Sequence, residues 1–122
     1  PDDQLGIAGG FDHCYCLRPG DPATASRSRN AQALRDVATV YDPGSGRELT
    51  VATTENGLQF YSGNFLEGVA GRGAQAYATH DGFCLEAQAY PDQVNGPDRE
   101  DVILRPGQVY RQTTTYRLSV RA

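Results

Sequence analysis

With 122 residues and a formal net charge of -4, the chain is long enough for one domain with its own core and needs neither disulfide nor metal to fold. The acidic balance excludes the usual nucleic-acid binder, which presents a basic face to displace counterions from phosphates; no apolar run approaches the ~20 residues that cross a bilayer, and no signal-peptide pattern is visible. All eleven cations are arginine, the better bidentate partner for carboxylates and hydroxyl-rich ligands.

Period-two alternation between Gly, Pro and Asn punctuation predicts an all-β chain. The chain opens on Pro1 rather than Met, so an upstream segment is expected. Phe11 to Leu17 reads as a first strand, followed by a polar loop from Pro19 to Asn30. The stretch NAQALRDVA, 30 to 38, is the one ambiguous helical candidate. Val37 to Tyr41 and Glu48 to Thr54 flank the turn DPGSGR as a hairpin, and Asn56-Gly57 turns the chain into a strand from Leu58 to Tyr61. Residues 63 to 82 are glycine-rich with few alternating apolar positions and read as a long surface loop. A strand follows in GFCLEAQAYPD, 82 to 92; then come a polar run, the turn Arg105 to Gln108, and a final strand from Val109 to Val120. Strands so spaced, with long loops, suggest a sandwich or part of a large one, in which case some edges expect partners that these residues do not supply.

Three cysteines, Cys14, Cys16 and Cys84, leave one unpaired in any disulfide scheme, and residues two apart on a strand form no easy bridge. A reducing, cytoplasmic compartment is expected. A C-x-C with one distant Cys and two His lacks the spacing of the common structural zinc sites, so no metal is expected.

Strand parity separates a bulky apolar face from a polar one. Phe11, His13, Tyr15 and Leu17 share one side, and Asp12, Cys14 and Cys16 the other. Gln59 and Tyr61 oppose Leu58 and Phe60, and Glu86 opposes Phe83 and Leu85. Asp12, Gln59 and Glu86 therefore each fall on the non-core face of a strand, where neighbouring strands would converge them. Pattern alone also fits the simpler alternative, an ordinary wet face of a half-buried sheet.

The segments GGFDHCYCL at 9 to 17, VYDPGSGRELTVATT at 40 to 54, LQFYSGNFL at 58 to 66, GFCLEAQAYPDQVN at 82 to 95 and ILRPGQVYRQTTTYRL at 103 to 118 resemble, in order, motifs of the aldose 1-epimerases, also called galactose mutarotases. The resemblance covers nearly the whole chain but only the C-terminal portion of that family. It implies that residues 1–122 are a single segment of a large antiparallel β-sandwich whose N-terminal part lies outside this chain, with a sugar cleft on one sheet that interconverts the α and β anomers of hexoses such as galactose and glucose. Glu86 is similar to the family's catalytic base, and Asp12 and Gln59 to residues that hold sugar hydroxyls. The family's general acid, a His, and a further His and Arg that bind sugar belong to the missing part. Tyr61, on the face of Gln59, is a further candidate lining residue.

Ring opening needs a base at the C1 hydroxyl and an acid at the ring oxygen; a carboxylate serves as the first and an imidazolium as the second near neutral pH. No metal, nucleotide or redox cofactor is required, and the partners expected are an aldohexose and the N-terminal segment, with neither nucleic acid nor membrane. His13, by parity with Phe11, is expected to be structural, and His80, in a loop before Asp81, to be exposed. Two other functions compete: a noncatalytic carbohydrate-binding sandwich, and an enzyme for phosphorylated hexoses, for which the cationic Arg18, Arg27, Arg29 and Arg35 would matter, although the usual glycine cradle at a helix start is missing.

Overall fold

The computed structural model describes residues 3–17 and 33–121. Six strands form two three-stranded sheets: β1 (Asp12–Cys16), β4 (Gly57–Tyr61) and β5 (Cys84–Gln88) in the order β1-β4-β5, and β2 (Arg35–Tyr41), β3 (Arg47–Thr53) and β6 (Thr114–Val120) in the order β2-β3-β6. The chain is all-β, as the alternation requires. Among the described residues, 3–15 with 58–86 gather into one compact unit and 16–17 and 33–57 with 87–121 into another.

In the first unit β4 is central. Ser62 N–H donates to the Phe11 carbonyl at 3.0 Å just beyond the end of β4 and before the start of β1, so those two strands run antiparallel. Gly63 lies against the Gly82 carbonyl, with no room for a Cβ, so β5 likewise begins beside the end of β4. Phe11, Phe60 and Phe83 bind the three segments on one face: the rings of Phe11 and Phe60 are 4.9 Å apart, and those of Phe60 and Phe83 meet edge to face at 6.4 Å, within the range of favourable aromatic pairs. A six-residue helix, α1 (Asp3–Ala8), precedes β1. Sequence periodicity does not foretell it, because six residues span under two turns and show no amphipathic repeat. Residues 63 to 82 stay outside both sheets, as expected; their only ladder is a bridge between Ala70 and Ala76, around a short 3₁₀ turn at Arg72–Ala74.

The second unit is built on the β2–β3 hairpin. Asp42 organises its turn: Oδ1 accepts from Gly44 N–H at 3.0 Å, Oδ2 from the Ser45 hydroxyl at 2.5 Å, and the Asp42 carbonyl from Gly46 N–H at 2.8 Å. Gly46 sits at φ 71, where residues with a Cβ are strained. Antiparallel pairing runs from Tyr41↔Glu48 to Arg35↔Thr53, with a register shift between Asp36 and Ala38, and β6 completes the sheet from Arg47↔Val120 to Thr53↔Thr114. The core of this sheet is Val51 and Ala52.

Several boundaries differ from sequence expectation, and the strand expected in 82 to 92 is confined to Cys84–Gln88. The ambiguous stretch 30 to 38 becomes strand from Arg35 onward; its first residues, 30 to 32, lie outside the described residues, as does the polar loop from Pro19 to Asn30. The final strand begins at Thr114 rather than Val109. Its would-be partner β3 ends at Thr53, and beyond that Thr54 and Thr113 hold one another through two 3.1 Å hydrogen bonds. Tyr110 then leaves the ladder to donate its hydroxyl to Glu55 Oε1 at 2.5 Å.

Candidate active site

The polar face of β1-β4-β5 lies opposite the Phe11–Phe60–Phe83 row. On it, Gln59 Nε2 donates to Asp12 Oδ1 at 2.7 Å, so two of the residues singled out by parity meet directly across neighbouring strands. Asp12 is exposed and Gln59 half-buried. The pair leaves a carboxylate oxygen that accepts and an amide that can both accept and donate, a combination suited to the hydroxyls of a sugar. Glu86 is exposed and falls on the same face by alternation with Phe83 and Leu85; Cys14 and Cys84 share that parity. All three cysteines carry thiols rather than disulfides, and among the described residues no group of His, Cys, Asp and Glu gathers as metal ligands would.

Tyr61 also takes the polar face. Its hydroxyl accepts the Phe65 N–H at 2.9 Å, and its ring stacks on that of Phe65 at 6.4 Å and 25°. Phe65 is strongly exposed, so the two rings form an aromatic ledge at the end of β4. Position 65 carries no sequence signal beyond being apolar in a polar loop.

Both histidines have hydrogen-bond partners. His13 Nδ1 accepts the backbone N–H of Asp12 at 3.0 Å, and its ring meets the edge of Phe11 at 6.3 Å, the structural role expected from parity. His80 is exposed, as expected, yet it is not idle: Nδ1 lies 2.7 Å from the Ser62 carbonyl. Around it, Ser62 and Asn64 form a hydrogen-bonded cluster that strand patterning cannot reveal, since both lie beyond the end of β4. The nearest sequence signal is Gly10, a position that only a residue without a Cβ can occupy when side chains pack against it.

Of the arginines weighed for a phosphate, Arg18, Arg27 and Arg29 lie outside the described residues. Arg35 is committed within its own unit: Nη1 donates to the Thr53 carbonyl at 3.4 Å and Nη2 to the Glu55 carbonyl at 3.1 Å. No helix among the described residues is long and apolar enough to cross a membrane.

Comparison with known proteins adds the family context. The family model described as aldose 1-epimerase matches residues 1–117. Galactose mutarotase of Bos taurus is 44% identical over 112 residues, covering 91% of this chain and 30% of that protein. Galactose mutarotase of Homo sapiens is 44% identical over the same shares, and aldose 1-epimerase of Escherichia coli is 36% identical over 117 residues, 94% of this chain and 31% of that protein. The chain thus spans about 30% of the length of these curated relatives.

Proposed function

Because the chain belongs to the aldose 1-epimerase family, we propose that it contributes the C-terminal half-site of a mutarotase, which interconverts the α and β anomers of an aldohexose such as galactose or glucose. Glu86 is the general base. It takes the proton of the C1 hydroxyl while an acid protonates the ring oxygen; the bond between C1 and that oxygen breaks, leaving a C1 aldehyde and a new hydroxyl. Rotation about the C1–C2 bond presents the other aldehyde face, and the two proton transfers run in reverse to close the ring. Atoms and protons balance with no external reagent.

Asp12 and Gln59 hold sugar hydroxyls, and Tyr61 lines the cleft. The acid is a histidine of the N-terminal part of the same family domain. The contacts that His13 and His80 already make with Asp12 N–H, Phe11 and the Ser62 carbonyl support that assignment. What carries the proposal is the 2.7 Å bond from Gln59 to Asp12 on the face that Glu86 shares by alternation: an acceptor and an amide are held ready for sugar hydroxyls on the face that also carries the exposed Glu86. The odd number of cysteines and the poor bridging geometry of residues two apart on a strand support a cytoplasmic setting.

Polarimetry on freshly dissolved α-galactose tests the assignment in the complete protein. Glu86→Gln keeps the shape but not the basicity, and is expected to lower kcat by ~10²–10⁴-fold with sugar affinity retained. Wild-type kcat in that variant would reject Glu86 as base. A noncatalytic carbohydrate binder would leave the spontaneous rate of mutarotation unchanged even in the wild-type protein.

A further inference from the structure

The chemistry above makes no use of the cluster that grips the joint between α1 and β1. Asn64 spends its whole amide there: Nδ2 donates to the carbonyls of Ala8 and Phe11, each at 3.1 Å, and Oδ1 accepts the Ser62 hydroxyl at 2.7 Å. The same Ser62 oxygen accepts the Phe11 N–H at 2.9 Å, while Ser62 N–H donates to the Phe11 carbonyl at 3.0 Å. His80 closes the cluster from a third side. The Ser62 carbonyl, 2.7 Å from Nδ1, can only accept, so Nδ1 carries the proton; the His80 N–H donates to the Gly63 carbonyl at 3.1 Å.

No space remains inside. A Cβ added to Gly10, at φ 141, would overlap Asn64 Oδ1 and come within 2.7 Å of Ser62 Oγ and 2.9 Å of His80 Cε1. His80 itself holds φ 68, a left-handed conformation that a residue with a Cβ keeps only where its surroundings over-determine it. Both backbone polar groups of Phe11 are thereby fixed, one residue before Asp12.

We propose that Ser62, Asn64 and His80 are positioning residues for substrate recognition: without touching the sugar, they set the backbone from which the Asp12 carboxylate reaches a sugar hydroxyl. The proposal rests on Asp12 as a sugar contact, as assigned above. The physical reason is lever-like. A carboxylate three bonds from the backbone inherits any tilt at Phe11, and the side chain that holds it, Gln59, stands on another strand. A small displacement of a contact group costs much of its worth in binding.

The test is a double-mutant cycle in the complete protein, read by polarimetry with α-galactose across a range of concentrations. Asn64→Ala is expected to raise KM by roughly tenfold with kcat within about threefold of wild type. In an Asp12→Ala background the same substitution should change KM by less than about twofold, because a contact already absent cannot be misplaced. A purely structural role would instead reduce the amount of active protein, lowering apparent kcat at constant KM. An unchanged KM in Asn64→Ala, or equal increments of KM in both backgrounds, overturns the proposal. Should Asn64→Ala fail to fold, His80→Ala, at an exposed position, carries the same cycle and the same criteria. Absence of mutarotation by the wild-type protein would instead overturn the assignment of function on which the proposal rests, and the proposal with it.

Discussion

Glu55 is the residue that least fits an expectation of charged groups at the surface. It is 2% exposed, and a buried carboxyl is tolerated only when hydrogen-bonded. The Tyr110 hydroxyl supplies one such bond at 2.5 Å, and the Glu55 N–H is itself held by Thr53 Oγ1 at 3.1 Å. Tyr110→Phe removes the hydroxyl while keeping the ring and is expected to cost about 1–3 kcal/mol of stability, measured by urea denaturation of the purified chain; no loss would mean that the carboxyl is satisfied without Tyr110. Two exposed carboxyls give stability an acid limb. The Arg117 guanidinium, hydrogen-bonded to Asp36 at 2.6 Å, holds that carboxyl below its ordinary value of 3.8, and the Ser45 hydroxyl, followed by Gly44 N–H, does the same for Asp42. A depressed folded-state pKa contributes stability that is present above the unfolded value and is lost as pH falls through the folded one. Asp42→Asn should therefore flatten the dependence of stability on pH below 3.8 and leave its slope near neutrality unchanged; urea midpoints measured from pH 7 downward check this.

At the scale of elements, β6 carries a burden. The register places Ala38, Val51 and Tyr116 in one row and Val40, Leu49 and Leu118 in the next, so this face of the sheet is apolar. The other face carries the Asp36–Arg117 and Glu48–Arg121 ion pairs, with the Arg121 guanidinium 4.6 Å from the centre of the Tyr41 ring. Yet Leu118 is 83% and Val120 75% exposed, and among the described residues β6 pairs with β3 alone. An edge strand with a bare apolar face is prone to association. The chain made by itself is expected to self-associate with rising concentration, and Leu118→Arg to reduce that association, as sedimentation velocity would show. A monomer at every concentration would mean that the stripe is not sticky in solution.

For the whole molecule, the decisive fact is coverage: the chain spans about 30% of the length of its curated relatives, and the proposal above assigns the acid to the remainder. A base without its acid loses concerted proton transfer at one end of the sugar. The 122-residue chain alone should therefore accelerate mutarotation of α-galactose negligibly, and the complete protein strongly. Substantial turnover by the chain alone would show that the supposed missing histidine is dispensable.

Much of this architecture was legible in the order of the residues. Alternation identified the sheet strands and, for Asp12 and Gln59, the face they share, because a strand turns successive side chains to opposite sides whatever it packs against. The DPGSGR turn was equally readable, since an Asp carboxylate that caps its own turn and a glycine at positive φ are local chemistry. Three features depended on contacts between residues far apart in the chain, and no local pattern encodes those. The last strand begins only at Thr114 because β3 runs out at Thr53 some sixty residues earlier. Glu55 is buried because Tyr110 comes to meet it. The Ser62–Asn64–His80 cluster exists because β4 and β5 bring residues 62 to 64 and 80 to Gly10, just before β1. Side-chain direction along a strand is a property of the backbone and can be read in advance; which group fills the space opposite is a property of closure in three dimensions, and only the folded chain decides it.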